Sequence, residues 1–231
     1  MILRRLALAA LAALLPLGAA AEPTASEKPV IEKKDDLPRH SYRVDLPVTE
    51  LYAPEHRDAL LALAAAVRED VAGDLERFEI RDDSTVQDYY GMLGSVAIAE
   101  GDWARYLELV EKRQALETKA ANRLTLGLAG RAVARAALAG DPTPAAVAAE
   151  LAALVEPLPY ATVEANLESL KGRTEILSRA LVLGSLESNY QPVLDRTGGE
   201  VSLDIAASLV GAVFSLDYFM VLRRFSGTLS L

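Results

Sequence analysis

Ala97-Ile98-Ala99-Glu100-Gly101-Asp102 and Ala136-Ala137-Leu138-Ala139-Gly140-Asp141 give the same instruction twice, 39 residues apart. In each, a helix-forming run meets a glycine, which accepts the positive φ of an abrupt helix stop, and then an aspartate, which can cap a following helix. Both stops lie between segments whose apolar residues recur every three or four positions. That pattern specifies antiparallel helical hairpins, and with them an all-α fold of about seven helices packed around a buried last helix.

Working outward from the two stops, Pro54 opens a first helix over about 54–79, with Leu60, Leu63, Ala64, Val67, Val71 and Leu75 on one stripe. Ser84 and Gln87 have capping-box spacing for a second helix carrying Tyr90, Leu93, Ala97 and Ile98 to Gly101. A third runs from Asp102 to about Leu116 and a fourth, alanine-rich, from about Lys119 to Ala139. Thr143 and Pro144 begin a fifth, which Pro157 and Pro159 end. A sixth follows Thr162, with a charge ladder of Glu168, Lys171, Glu175 and Arg179 on its outer face. Asp195-Arg196-Thr197-Gly198-Gly199 reads as a turn. Val201 to Leu222 is apolar on nearly all sides and forms the expected central helix. Its charge-free core is too short to span a bilayer, and Asp217 would lie in lipid.

Residues 1–21 have the grammar of a signal peptide: Arg4 and Arg5, an apolar run from Leu6 to Leu17, then Ala19-Ala20-Ala21 before Glu22. Residues 22–47, with Pro23, Pro29, Pro38 and Pro47 among charged side chains, read as a flexible leader in which Ser41–Leu46 alternates enough for a short strand. Residues 48–231 are then a single helical domain, and the expected compartment is periplasmic or secreted. The chain has no cysteine, so disulfides and thiolate chemistry are absent and stability rests on packing, for which a 51% apolar content suffices. The net charge of −9 becomes −11 once Arg4 and Arg5 are removed, which disfavours nucleic acid and anionic lipid as partners.

The first hairpin resembles a tetratricopeptide repeat in the placing of Tyr90, Leu93, Gly94, Gly101 and Trp103, but departs from it at Tyr106, where that family has a small residue. The stretches from Leu75-Glu76-Arg77-Phe78-Glu79-Ile80-Arg81-Asp82 through Tyr89-Tyr90, and Leu170-Lys171-Gly172-Arg173-Thr174-Glu175-Ile176-Leu177-Ser178, resemble the helical region that precedes the catalytic domain in some exported bacterial subtilisin-like serine peptidases. That resemblance implies a propeptide-like or accessory module.

Catalytic chemistry has little to stand on. His40 and His56 are the only histidines, neither has a partner at ligand spacing, and no HExxH, GxSxG, GxGxxG or P-loop pattern occurs. No metal ligand, cofactor-binding residue or catalytic residue is assigned. Asp195-Arg196-Thr197-Gly198 lacks the histidine and serine a triad needs, or the second segment an aspartic dyad needs. Carboxylate pairs such as Glu69 with Asp70, or Glu164 with Glu168, fall on helix faces that read as solvated. The aromatic group Tyr89, Tyr90, Trp103 and Tyr106 gathers at one hairpin in a chain with 6% aromatics. With Tyr90 and Trp103 filling the hairpin core, Tyr89 and Tyr106 become the exposed pair expected to bind a protein partner. The expectation is a non-catalytic interaction module. The alternatives are a carrier of an apolar ligand, or a hydrolase using buried carboxylates such as Asp204 and Asp217.

Overall fold

In the computed structural model, residues 28–159 and 179–212 are described, and both glycine stops lie within them. Gly101 and Gly140 have φ of 76° and 78°. Gly101 N donates to Ile98 O (3.0 Å) and Asp102 N to Ala97 O (2.8 Å). In the second stop Gly140 N donates to Ala137 O and Asp141 N to Ala136 O, both at 3.0 Å. Each turn thereby satisfies carbonyls that the end of a helix would leave orphaned.

The chain runs β1 (Val30–Ile31), β2 (Ser41–Arg43), α1 (Val48–Leu51), α2 (Arg57–Arg77), β3 (Glu79–Ile80), α3 (Asp83–Glu100), α4 (Trp103–Leu116), α5 (Ala120–Thr125), α6 (Leu128–Leu138), α7 (Pro144–Val155), α8 (Arg179–Thr197) and β4 (Glu200–Ser202), followed by helical residues 203–212, here α9. It is an all-α fold. Among the described residues the strands form two short ladders, β1 parallel to β3 and β2 antiparallel to β4.

One core collects the strap of residues 30–46, α1, α2, α3, α4, α8 and α9, with Val48, Val67, Val71, Val96, Leu109 and Leu209 fully buried. A second, smaller core lies between α6 and α7, where Leu128, Ala129, Ala132, Ala136, Val147, Leu151 and Leu154 meet. Alanines on α6 let the two helices approach closely, and aliphatic side chains from α7 fill the gap.

Several expectations need correction. Residues 28–47 are not a free leader: Ile31, Leu37, Tyr42 and Val44 are buried in the main core, and β1 and β2 carry the segment across the domain. Prolines and charges disguise it, because the apolar residues that anchor it are spaced singly. The second helix is capped by Asp82, whose Oδ2 accepts from Thr85 N (3.2 Å) and Thr85 Oγ1 (2.5 Å), two residues earlier than the Ser84 box. Gln87 instead donates to Leu116 O (3.1 Å), tying α3 to the end of α4.

The expected fourth helix is two helices, α5 and α6, broken at Gly127 with φ of 64°. A Cβ there would come within 3.3 Å of Tyr106 Oη and Val110, so the break is set by the face of α4 beneath it. Asp195, Arg196 and Thr197 complete α8, and the turn is confined to Gly198 and Gly199. The expected last helix begins only at residue 203, after β4. Ala206, Ala207, Leu209, Val210 and Ala212 are buried while Asp204 and Ser208 are exposed, so this stretch packs by one broad face and not all round. The signal peptide, residues 22–27, the sixth helix before Arg179 with its charge ladder, and residues 213–222 of the last helix lie outside the described residues.

Candidate functional site

A polar cluster forms where the strap crosses α2. His40 and Tyr42 are two apart in extended backbone and so share a face. Asp70 and Asp74 are four apart on α2 and share another. Two strand residues advance about 6.6 Å and four helix residues about 6 Å, so the pairs can meet in register. His40 Nε2 donates to Asp74 Oδ2 (2.7 Å), His40 Nδ1 lies 3.4 Å from Asp70 Oδ1, and Tyr42 Oη donates to Asp70 Oδ2 (2.6 Å). Asp74, with no solvent exposure, also accepts from Tyr89 Oη at Oδ2 (3.0 Å) and from Arg77 Nη2 at Oδ1 (2.7 Å).

A buried carboxylate is tolerated when its lone pairs are filled, and Asp74 has three donors. Burial, then the neighbouring carboxylates, push the Tyr42 and Tyr89 phenols far above the ordinary tyrosine range, so both remain donors. Beside the cluster lies a cleft of ≈ 460 Å³, lined among others by Lys34, Arg39, His40, Tyr89, Ser202 and Asp204. Lys34 Nζ is held there by Asp204 (3.1 Å) and Asp88 (3.4 Å). Both ring nitrogens of His40 face carboxylates of α2. Through these contacts the cluster fastens the strap to the helices.

The second constellation lies where the two hairpins meet. Tyr106, on α4, packs its ring against Gly94 of α3 and its hydroxyl against Gly130 of α6; a Cβ on Gly130 would overlap the Tyr106 ring and hydroxyl. Burial pushes the Tyr106 phenol up to about 12 against the opposing pull of Arg113 and Arg131. Next to this joint, α4, α5, α6 and α7 enclose an open groove of ≈ 640 Å³, with Arg123, Arg131 and Arg135 on its walls and Leu124 and Leu158 between them. Leu124 is 41% exposed, one of few large apolar side chains that are among the described residues.

Arg123 donates from Nε (2.9 Å) and Nη2 (2.6 Å) to Glu117 O, which clasps α5 to the end of α4. Arg135 Nη1 reaches Glu150 only at 3.8 Å. Burial, and then the charge of Arg135, lower the Arg131 pKa, and no ion pair to Arg131 forms among the described residues.

The aromatic pair expected at the surface is not there. Tyr89 is 2% and Tyr106 8% exposed, whereas Tyr90 and Trp103, expected in the core, are half-buried. Tyr89 serves Asp74 and Tyr106 serves the hairpin joint, so neither presents a docking surface. Asp204 is exposed and pairs with Lys34, which removes it as a buried carboxylate; Asp217 lies outside the described residues. Sequence reasoning missed the partnership of His40 with Asp70 and Asp74, although an H-x-Y pair in alternating sequence and an i, i+4 aspartate pair are its visible halves. It also missed the arginine groove, whose lining comes from four helices.

Among the described residues no group of three or more histidines and carboxylates converges to hold a metal ion, and no helix is long and apolar enough to cross a membrane. No family model, no curated protein and no solved structure matches this chain.

Proposed function

We propose that this chain is a non-catalytic, exported helical module that binds another protein, and that it does so at the groove between its two hairpins. The observation that carries the reading is the contrast between the polar sites. The His40 cluster has its donors and acceptors turned on one another, while the groove has an exposed leucine and a half-buried arginine with room in front of them. Fully paired groups hold a fold together; desolvated arginine beside open apolar surface is what a partner exploits. The resemblance of residues 75–90 to the helices preceding exported subtilisin-like catalytic domains makes such a peptidase the first partner to try.

The test is capture of proteins from the cell envelope and medium on the immobilised full chain, repeated with Leu124→Asp. Loss of a specifically retained protein in this exposed-site variant is the expected result. Retention that is indifferent to Leu124→Asp but abolished by substitutions around the His40 cleft would contradict the groove. An apolar crevice of ≈ 390 Å³ between the strap and α2, lined by Leu46, Leu51, Ala59, Ala62, Leu63 and Ala66, favours one second reading, carriage of an apolar ligand. Saturable binding of a fluorescent fatty acid, blocked by Ala62→Phe, would move the weight there.

A further inference from the structure

The inference concerns the chemistry of the partner and rests on the interaction reading above. The whole chain carries 33 acidic against 24 basic residues, yet among the described residues the groove gathers Arg123, Arg131 and Arg135 with Glu111 as its one carboxylate. Arg131 stands on α6 and is half-buried. Arg135 follows it by four residues, one turn along the same face, so the two guanidinium groups repel.

Glu111 attracts Arg131 only from beyond ion-pair distance, and Glu150 touches Arg135 at the limit of one. Among the described residues the basic wall is thus under-neutralised, and its floor is aliphatic, through Leu124, Leu154 and Leu158. We infer that the groove binds a short acidic segment of a partner protein, in which carboxylates flank an aliphatic side chain that rests against Leu124 and Leu158. Arginine suits this role because its planar fork pairs with a carboxylate through two parallel hydrogen bonds, and because it loses less than lysine on desolvation. A nucleic-acid backbone would meet the same arginines but also the field of a chain with net charge −9, which repels a polyanion.

The test is fluorescence anisotropy of the full chain with a fluorescein-labelled peptide of alternating glutamates and leucines. The same peptide with lysines in place of glutamates, inorganic phosphate and a single-stranded oligonucleotide serve as comparisons. Specific binding of the acidic peptide is expected. It should weaken about tenfold in Arg131→Gln and further in Arg135→Glu, and fall as salt rises, in the manner of a partly desolvated ion pair. The Arg131→Gln chain should melt where the parent does, because that side chain has no ion-pair partner to lose among the described residues.

Equal binding of the lysine peptide, indifference to both arginine substitutions, or displacement by phosphate or the oligonucleotide at equal charge would overturn the inference. If the acidic peptide fails while Leu124→Asp still abolishes capture of the natural partner, the acidic chemistry falls and the interaction reading stands. If capture is equally indifferent, both fall.

Discussion

The hairpin α3–α4 and the hairpin α6–α7 close with the same device, a left-handed glycine followed by aspartate, and yet they are built into the molecule differently. The first belongs to the main core. Tyr89, Leu93, Val96, Leu109 and Val110 are buried against α2, α9 and the strap, and Asp74 under the strap takes the Tyr89 hydroxyl. The second keeps a core of its own, made of seven small or aliphatic residues, and meets the first through Tyr106 lodged on Gly130 and through Ala134. Identical turns therefore fix only local geometry. Whether a hairpin becomes scaffold or appendage depends on what its outer faces touch, and the groove lies where the appendage leaves the scaffold.

The contrast can be broken most forcibly from inside. Leu109→Ala and Leu151→Ala remove the same atoms from sites that are each 1% exposed, at an expected ~2–5 kcal/mol apiece. Leu109→Ala should lower the melting temperature of the whole chain by circular dichroism. Leu151→Ala should instead release a separate early transition confined to α6 and α7, and a single shared transition for both would mean that the two cores are one cooperative unit.

Next in size is the joint. Gly130→Ala forces a methyl into Tyr106 and should cost about 1–3 kcal/mol in chemical denaturation. Gly94→Ala, where the added atom meets the same ring at 3.6 Å, an ordinary contact, should cost well under half as much.

Smaller again are the caps. Asp102 Oδ1 accepts from Arg105 N (3.0 Å) at the start of α4, so Asp102→Ala should cost about 1 kcal/mol. In the second hairpin Thr143 caps α7 and Asp141 only steadies Thr143 N at 3.3 Å, so Asp141→Ala should be barely measurable.

A further effect emerges only in alkali. Tyr106 titrates near its ordinary 10.0 when unfolded and at about 12 when folded, because burial disfavours the phenolate. Its contribution is therefore complete below about pH 10 and is lost as pH rises from there through about 12. Stability measured across that window should fall less steeply in Tyr106→Phe than in the parent, with Tyr42, Tyr52 and Tyr89 adding the same sign.

What could be read from sequence follows the range of the interactions. Gly101 and Gly140 act within one turn, and both stand as helix stops; Asp102 caps the next helix as read, whereas Asp141 leaves that role to Thr143. Gly127 acts through α4, and in an alanine-rich run a glycine looks like a tolerated helix residue until Tyr106 and Val110 are placed beneath it. Leu93 and Ala97 fit two helical phases, one shared with Tyr90 and Ile98 and the other with Tyr89 and Val96. Adjacent tyrosines point about 100° apart, and only the arrival of Asp74 from α2 selects Tyr89 for the interior. The His40 tether has the same character: its halves lie 34 residues apart, and nothing local announces that the strap will cross α2 in register.

On the proposed function the strap cluster is scaffold and the groove beside the second hairpin is the working surface. Hydrogen exchange of the full chain, followed peptide by peptide with and without its captured partner, tests it most directly. The account expects new protection across residues 111–135 and 150–158, where α4, α5, α6 and α7 line the groove, and none around His40 and Asp204. Protection gathered instead at residues 34–41 and 197–204, with α6 and α7 unchanged, would contradict it and return the function to the His40 cleft.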